Sequence, residues 1–183
     1  DIDAICVVPV DPATCDTVLQ DAKDKGIKVI CHEGSSANCD IDLEAFSNAG
    51  YGAYIMDNLA EAMGEEGKYA ELLGKESDTN AGVRSSAFHE VIDQYDTLEM
   101  VAQQTANWEQ TEGYEKTETI LQSNPEITGI ICGNDTMAVG AAEACKAAGR
   151  SDIKIIGVDG SDEAAALIKA EEMTGTALQQ CAL

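Results

Sequence analysis

At 183 residues the chain is long enough for one good core or two small lobes, so length alone leaves the domain count open. Eleven Lys and Arg stand against 34 Asp and Glu, a formal charge of −23, and a field of that sign repels phosphates, which argues against nucleic acid or an anionic membrane as partner. No stretch reaches the apolar length of a membrane span, and the acidic residues are scattered rather than gathered into a calcium-type loop.

Ile2 to Val8 reads as a buried strand. Pro9 to Asp11 turn the chain, Asp11 caps a helix with Pro12 in its first turn, and Val18, Leu19 and Ala22 form its inner face up to Gly26. Ile27 to Cys31 form a second strand, which completes a βαβ unit with a right-handed crossover. His32, Glu33 and Gly34 follow its carboxyl end. Residues 34 to 48 carry little periodicity and read as a surface connection at a lobe boundary. A helix is predicted from Ala49 to Met63, with Tyr51, Ile55, Leu59 and Met63 on one face. After Gly64 to Gly67 come a strand (Lys68 to Leu73), a polar turn (Ser77 to Gly82), a helix from about Val83 to Tyr95 and a strand (Leu98 to Gln103). Asn107 and Trp108 lie in the next loop, before a helix from Glu112 to Gln122.

The most informative stretch runs from Glu126 to Gly160. Ile127 to Cys132 and Ile153 to Val158 are brief, rich in isoleucine and valine, and apolar on both faces, as buried parallel strands are. Between them Met137, Ala141, Ala144 and Ala148 recur at helical spacing, Asp135 or Thr136 can cap the start, and Gly149 suits the left-handed C′ position. A helix over about Glu163 to Ala170 and a strand over Thr174 to Leu178 close the pattern at Gln179-Gln180. Strands alternating with helices predict an α/β fold of doubly wound parallel sheets. Residues 48–179 supply one complete lobe, and residues 1–47 (with 180–183) supply part of a second with only two strands. Polar pairs end the strands at Asn134-Asp135 and Asp159-Gly160, where open α/β sheets bind ligands.

The seven cysteines form no Cys-x-x-Cys pair and have no histidine cluster beside them, so no metal, cofactor or redox motif is predicted. Cys6, Cys31 and Cys132 lie in strand patterns and Cys145 in an alanine-rich helix, as small buried hydrophobes do, whereas Cys15 and Cys39 are expected to be exposed. No Gly-x-Gly-x-x-Gly, phosphate loop or Gly-x-Ser-x-Gly element is present, and His32 and His89 are the only histidines. His89, beside Phe88, reads as an ordinary helix residue, so no enzyme is predicted.

Four stretches, AICVVPVDP (Ala4 to Pro12), GNDTMAVGA (Gly133 to Ala141), KIIGVDG (Lys154 to Gly160) and GTALQQ (Gly175 to Gln180), together resemble the type I periplasmic binding proteins. The likeness is to the ribose- and galactose-type sugar-binding subunits of ATP-driven (ABC) importers, and it covers nearly the whole chain. It implies two lobes, joined by three crossing segments, that close by hinge motion on a sugar or sugar-like polyol. It also implies an extracytoplasmic location, in the periplasm or lipid-anchored at the outer face of the membrane, and an importer permease as partner. Residue by residue, Glu33 takes the place of an acidic ligand of the first lobe and Ser47 sits at the first crossing. Arg84 matches the ligand arginine, Trp108 the aromatic wall, and Asn134, Asp159 and Gln179 the polar ligands at successive strand ends.

Each residue also has a plainer reading: Arg84 as a surface helix arginine, Trp108 as a lobe-surface plug, Asp159 and Asn134 as helix caps, and Glu33 as a solvated loop carboxylate. Lactose-repressor-type effector domains share the fold and the Asn-Asp and Asp-Gly signatures, but follow a basic DNA-binding segment. The resemblance further implies first-lobe strand-helix units before Asp1 and beyond Gln180, so the site is expected to be half present. An incomplete first lobe exposes a sheet edge, which a partner chain, a swapped element or a remainder of the polypeptide is expected to cover.

Overall fold

Asp11, Ser47, Asp78, Asn134 and Ser161 each accept a hydrogen bond from a backbone N–H in the first turn of the helix they precede, and so fix where five helices begin. The structure, a computed structural model, describes residues 2–179, and residues 180–183, expected with the first lobe, lie outside the described residues. The chain runs β1 (Ala4–Val7), α1 (Pro12–Asp24), β2 (Lys28–His32), β3 (Ile41–Leu43), α2 (Asn48–Met63), β4 (Gly67–Leu73) and α3 (Thr79–Ile92). It continues through β5 (Leu98–Thr105), α4 (Gln110–Ser123), β6 (Gly129–Cys132), α5 (Asp135–Ala147), β7 (Lys154–Asp159), α6 (Asp162–Lys169) and β8 (Gly175–Leu178).

All strand pairs among the described residues are parallel, in a sheet ordered β1-β2-β3 and another ordered β5-β4-β6-β7-β8. The third strand of the small sheet corrects the sequence reading, which gave residues 34–48 no regular structure. Ile41 pairs with Ile30, but all three residues of β3 are exposed, so no apolar period marks them. Thr79 rather than Val83 begins α3, because Asp78 caps it at Asn80 N–H (2.9 Å). Asn134, not Asp135 or Thr136, caps α5, and Gly149 takes the expected left-handed conformation (φ 70°).

Alternation along the large sheet's strands feeds two cores, which is why the central strands β6 and β7 read as nearly unbroken apolar runs. Ala70, Leu72, Ile130, Cys132 and Ile155 pack beneath α4, α5 and α6, and Tyr69, Ile131, Ile156 and Val158 pack against α2 and α3. Leu19, Ala22, Val29 and Cys31 form the small sheet's core on the α1 side, while Ile41 and Leu43 are about half exposed. Four cysteine expectations change here. Cys6 is exposed because it points away from α1, and Cys31 is joined in a disulfide to Cys39, since the β2–β3 turn brings their Cα atoms to 5.9 Å. Cys15 and Cys39, expected at the surface, pack against the small core, whereas Cys132 and Cys145 are buried as expected.

In the large sheet β5 lies on one side of β4 and β6 on the other, so the chain direction reverses between β4 and β6 and opens a crevice at their carboxyl ends. Helices α4 and α5, on the face behind that crevice, touch through glycine: a Cβ on Gly140 would lie 2.2 Å from the Gln110 carbonyl oxygen. Gly140→Ala is therefore expected to push two helices apart and cost about 1–3 kcal/mol, read as a fall in Tm of roughly 2–10 °C by circular dichroism.

Candidate functional site

The carboxyl ends of both sheets meet around a cavity of about 200 Å³. The small sheet contributes Val8 and Val10 after β1 and Glu33 after β2. The large sheet contributes Asp78 from the β4–α3 turn, Asn80 and Arg84 from α3, Trp108 after β5, Asn134 after β6 and Asp159 at the end of β7. The two sides touch directly, with Asn80 Nδ2 donating to the Glu33 carbonyl at 2.6 Å.

Arg84 is the central cation and only 5% exposed, which sets aside its reading as a surface residue. Its Nε donates to Asn48 Oδ1 (2.8 Å) and an Nη to the Gly133 carbonyl (2.6 Å), so the guanidinium is fixed before any ligand arrives. Burial pulls its pKa down, against Asp159, Glu33 and Asp78, which act to raise it. The guanidinium carbon lies 5.6 Å from the centroid of the Trp108 ring.

Trp108 sits over the crevice between β4 and β6, where Gly74 and Gly133 leave a slot. A Cβ on Gly74 would fall 2.1 Å from the indole carbons, and Trp108 Nε1 donates to Asp78 Oδ2 at 3.2 Å. Gly74→Ala is therefore expected to expel the ring from this slot, read as a shift of the Trp108 emission maximum. An unchanged emission would show that the ring keeps its place.

Glu33, Trp108 and Asp159 hold positive φ angles of 53°, 68° and 132°, a strain that collects at ligand clamps. Asp159 is held by the strand ladder, its carbonyl accepting from Gln179 N–H (3.0 Å), and Asp135 fixes the following loop by accepting from Ser161 N–H (2.8 Å). Burial pushes the Asp159 carboxyl up to about 6, with Arg84 opposing and Asp135 and Glu33 reinforcing. Glu33 has His32 beside it, Nδ1 to Oε1 at 3.6 Å.

Of the seven residues the sequence singled out, Glu33, Arg84, Trp108, Asn134 and Asp159 converge on this cavity. Asn134 does so while capping α5: its Oδ1 accepts from Met137 N–H (2.9 Å), and Nδ2 donates one N–H to the Trp108 carbonyl (3.4 Å) and has a second to offer. Asp159 is no helix cap, since Ser161 takes that role for α6. Ser47 and Gln179 lie outside the lining; the Ser47 hydroxyl is engaged by Gly50 N–H (3.0 Å), and Gln179 follows β8. Asp78 and Asn80 were missed, because an Asp at the start of a helical stretch signals a cap and nothing more. His89 is away from the cavity and binds the fully buried Glu71 (3.1 Å), which also accepts from Gln103 (2.8 Å). A larger hollow of about 430 Å³ lies beside β8, but among the described residues of its wall Glu61 alone is charged.

The profile of the family described as a periplasmic binding protein domain matches residues 1–183. A D-apiose import binding protein of Actinobacillus succinogenes is 61% identical over 117 residues, 63% of this chain and 38% of that protein. The ribose import binding protein of Bacillus subtilis is 33% identical over 180 residues, 98% of this chain and 58% of that protein. A solved ABC transporter periplasmic solute binding protein of Actinobacillus succinogenes with bound D-allose matches with a TM-score of 0.87 at 31% identity, over 94% of this chain and 64% of its own. The chain spans less than two thirds of each of these proteins.

Proposed function

Since the chain belongs to the periplasmic binding protein family, we propose that it forms part of an extracytoplasmic solute-binding protein that captures a sugar or sugar-like polyol between two lobes, residues 1–47 (with 180–183) and 48–179, and delivers it to the permease of an ABC importer. One observation carries the reading: in a single small cavity, acceptor-only carboxylates of Glu33, Asp78 and Asp159 face the donor-only Arg84 and the Asn134 Nδ2, with an indole at the wall. A hydroxyl donates and accepts at once, so a polyol answers both sets, whereas a carboxylate or an ammonium answers one. The indole face suits the C–H side of a sugar ring.

Asn80 bonded to Glu33 across the cavity supports closure by hinge motion. The Cys31–Cys39 disulfide suits an oxidising extracytoplasmic compartment. No helix among the described residues is long and apolar enough to cross a membrane. The histidine bonded to Glu71 stands away from the cavity, and the lining residues pair no nucleophile with a base, which favours binding without covalent chemistry. Relatives named as import binding proteins favour this reading over a regulator's effector domain.

Two relatives, 61% and 52% identical over 117 and 125 residues, are named for D-apiose import, which puts that pentose first among candidates. Isothermal titration of the protein with D-apiose, D-ribose, D-allose and xylitol tests the proposal. We expect one of them to bind at about 1 μM or tighter. Binding of an amino acid or nucleotide instead, with no sugar or polyol bound, would overturn it.

A further inference from the structure

We infer that the Cys31–Cys39 disulfide is a positioning element of the binding cavity, so that sugar affinity depends on its being oxidised. Cys31 lies in β2 and Cys39 just before β3, and the turn they close carries Glu33 to the cavity wall. Within the turn Glu33 holds a positive φ of 53°, which a non-glycine residue keeps only where its surroundings impose it. The far half of the turn is tied to α1, where the Ser36 hydroxyl donates to the Asp16 carboxylate and Asn38 Nδ2 donates to the Asp16 carbonyl (3.0 Å). Between those ties and the cavity, the hydrogen bond from Asn80 to the Glu33 carbonyl is a direct link to the large sheet. The disulfide joins the two ends of the turn in the core of the small sheet, with Cys31 fully buried and Cys39 packed against the same cluster.

An added dithiol reduces the bond by passing it two electrons. The S–S bond breaks, each cysteine sulfur takes a proton, and the dithiol closes to its own cyclic disulfide. The turn then keeps its hydrogen bonds from Ser36 and Asn38 to α1 and between Asp40 and Val29, but loses the covalent link between its two ends, and β3 is a three-residue edge strand with every residue exposed. Glu33 and the carbonyl that Asn80 grips lose their fixed place, while the large sheet and its share of the cavity are untouched.

The test rests on the proposed sugar-binding function and is arranged to separate the two. Wild-type protein and Glu33→Ala are each titrated with D-apiose, oxidised and after dithiol reduction, and Cys31→Ser/Cys39→Ser serves as a permanently open form. Reduction is expected to weaken wild-type binding about tenfold and Glu33→Ala binding less than twofold, because the contact that the disulfide places is already gone. Equal losses in both proteins, or no loss in wild type, would overturn the inference. Hydrogen exchange without sugar is the second readout. Faster exchange confined to residues 33–39 on reduction supports the positioning role, and unchanged protection there sinks it, whether or not D-apiose binds. Failure of the oxidised protein to bind any sugar strikes the proposed function alone.

Discussion

Arg84→Ala should abolish sugar binding, with a loss of at least about a hundredfold, and should destabilise the protein as well. The guanidinium is 5% exposed and supplies hydrogen bonds to Asn48 Oδ1 and the Gly133 carbonyl, so its removal strands two buried acceptors. It also leaves Asp159, Glu33 and Asp78 facing one another with no cation among them. Breaking one side of a buried charged network costs about 3–5 kcal/mol, which corresponds to a fall in Tm of roughly 6–20 °C. Arg84→Lys separates the two effects. An ammonium keeps the charge but not the planar fork, so part of the stability should return while the affinity does not. Calorimetric melting and titration of both variants measure this, and an Arg84→Ala protein that melts and binds like wild type would remove Arg84 from the site.

Sugar affinity should weaken below about pH 6 through Asp159. Its carboxyl is raised from the ordinary 3.8 to about 6, chiefly by burial. In the free protein the folded state therefore holds a proton that the unfolded chain has already released between these values. Folding stability contributed by this group thus falls as pH rises through that window, and the full penalty of the buried charge is present above it. Binding runs the other way. If sugar hydroxyls donate to the ionised carboxylate, as the proposed function requires, affinity should rise as Asp159 loses its proton, level off above about pH 7, and fall by up to tenfold per unit on the acid side. Asp159→Asn should bind weakly and show a flat profile between pH 5 and 7.5 by titration. A wild-type affinity unchanged over that range would show that Asp159 does not accept from the ligand.

The central strands of the large sheet were legible because both of their faces are buried. Strands such as Ile130 to Cys132 and Ile155 to Val158 must then be apolar at every position, and a run of that kind survives any uncertainty about its ends. Strand β3 was not, because Ile41, Asp42 and Leu43 are exposed and their conformation is imposed by pairing with β2. The disulfide was hidden for a similar reason. Cys31 and Cys39 carry no spacing that marks them as partners, and the turn that joins them exists only in three dimensions.

The candidate site divides along the same line. Residues directly at strand ends, such as Asn134 and Asp159, could be located once the strands were, and the family resemblance added Arg84 and Trp108. Asp78 and Asn80 escaped because their turn chemistry is complete in itself: a cap explains Asp78, and only the folded chain reveals that its second oxygen meets Trp108 Nε1. Ser47 illustrates the converse, since its place next to a crossing suggested a ligand while its hydroxyl is used by the first turn of α2.

The slot between Gly74 and Gly133 has a practical consequence. Trp108 is the only tryptophan in the sequence, so nearly all of the chain's indole emission comes from one ring at the cavity wall. That ring has a guanidinium beside its face and a carboxylate on its N–H, two charges able to shift its excited state in opposite senses. A sugar seated against the ring as proposed, or a movement of Arg84, should therefore alter the colour and yield of the natural fluorescence. Occupancy can be followed with light alone, in the unmodified protein and with no attached dye.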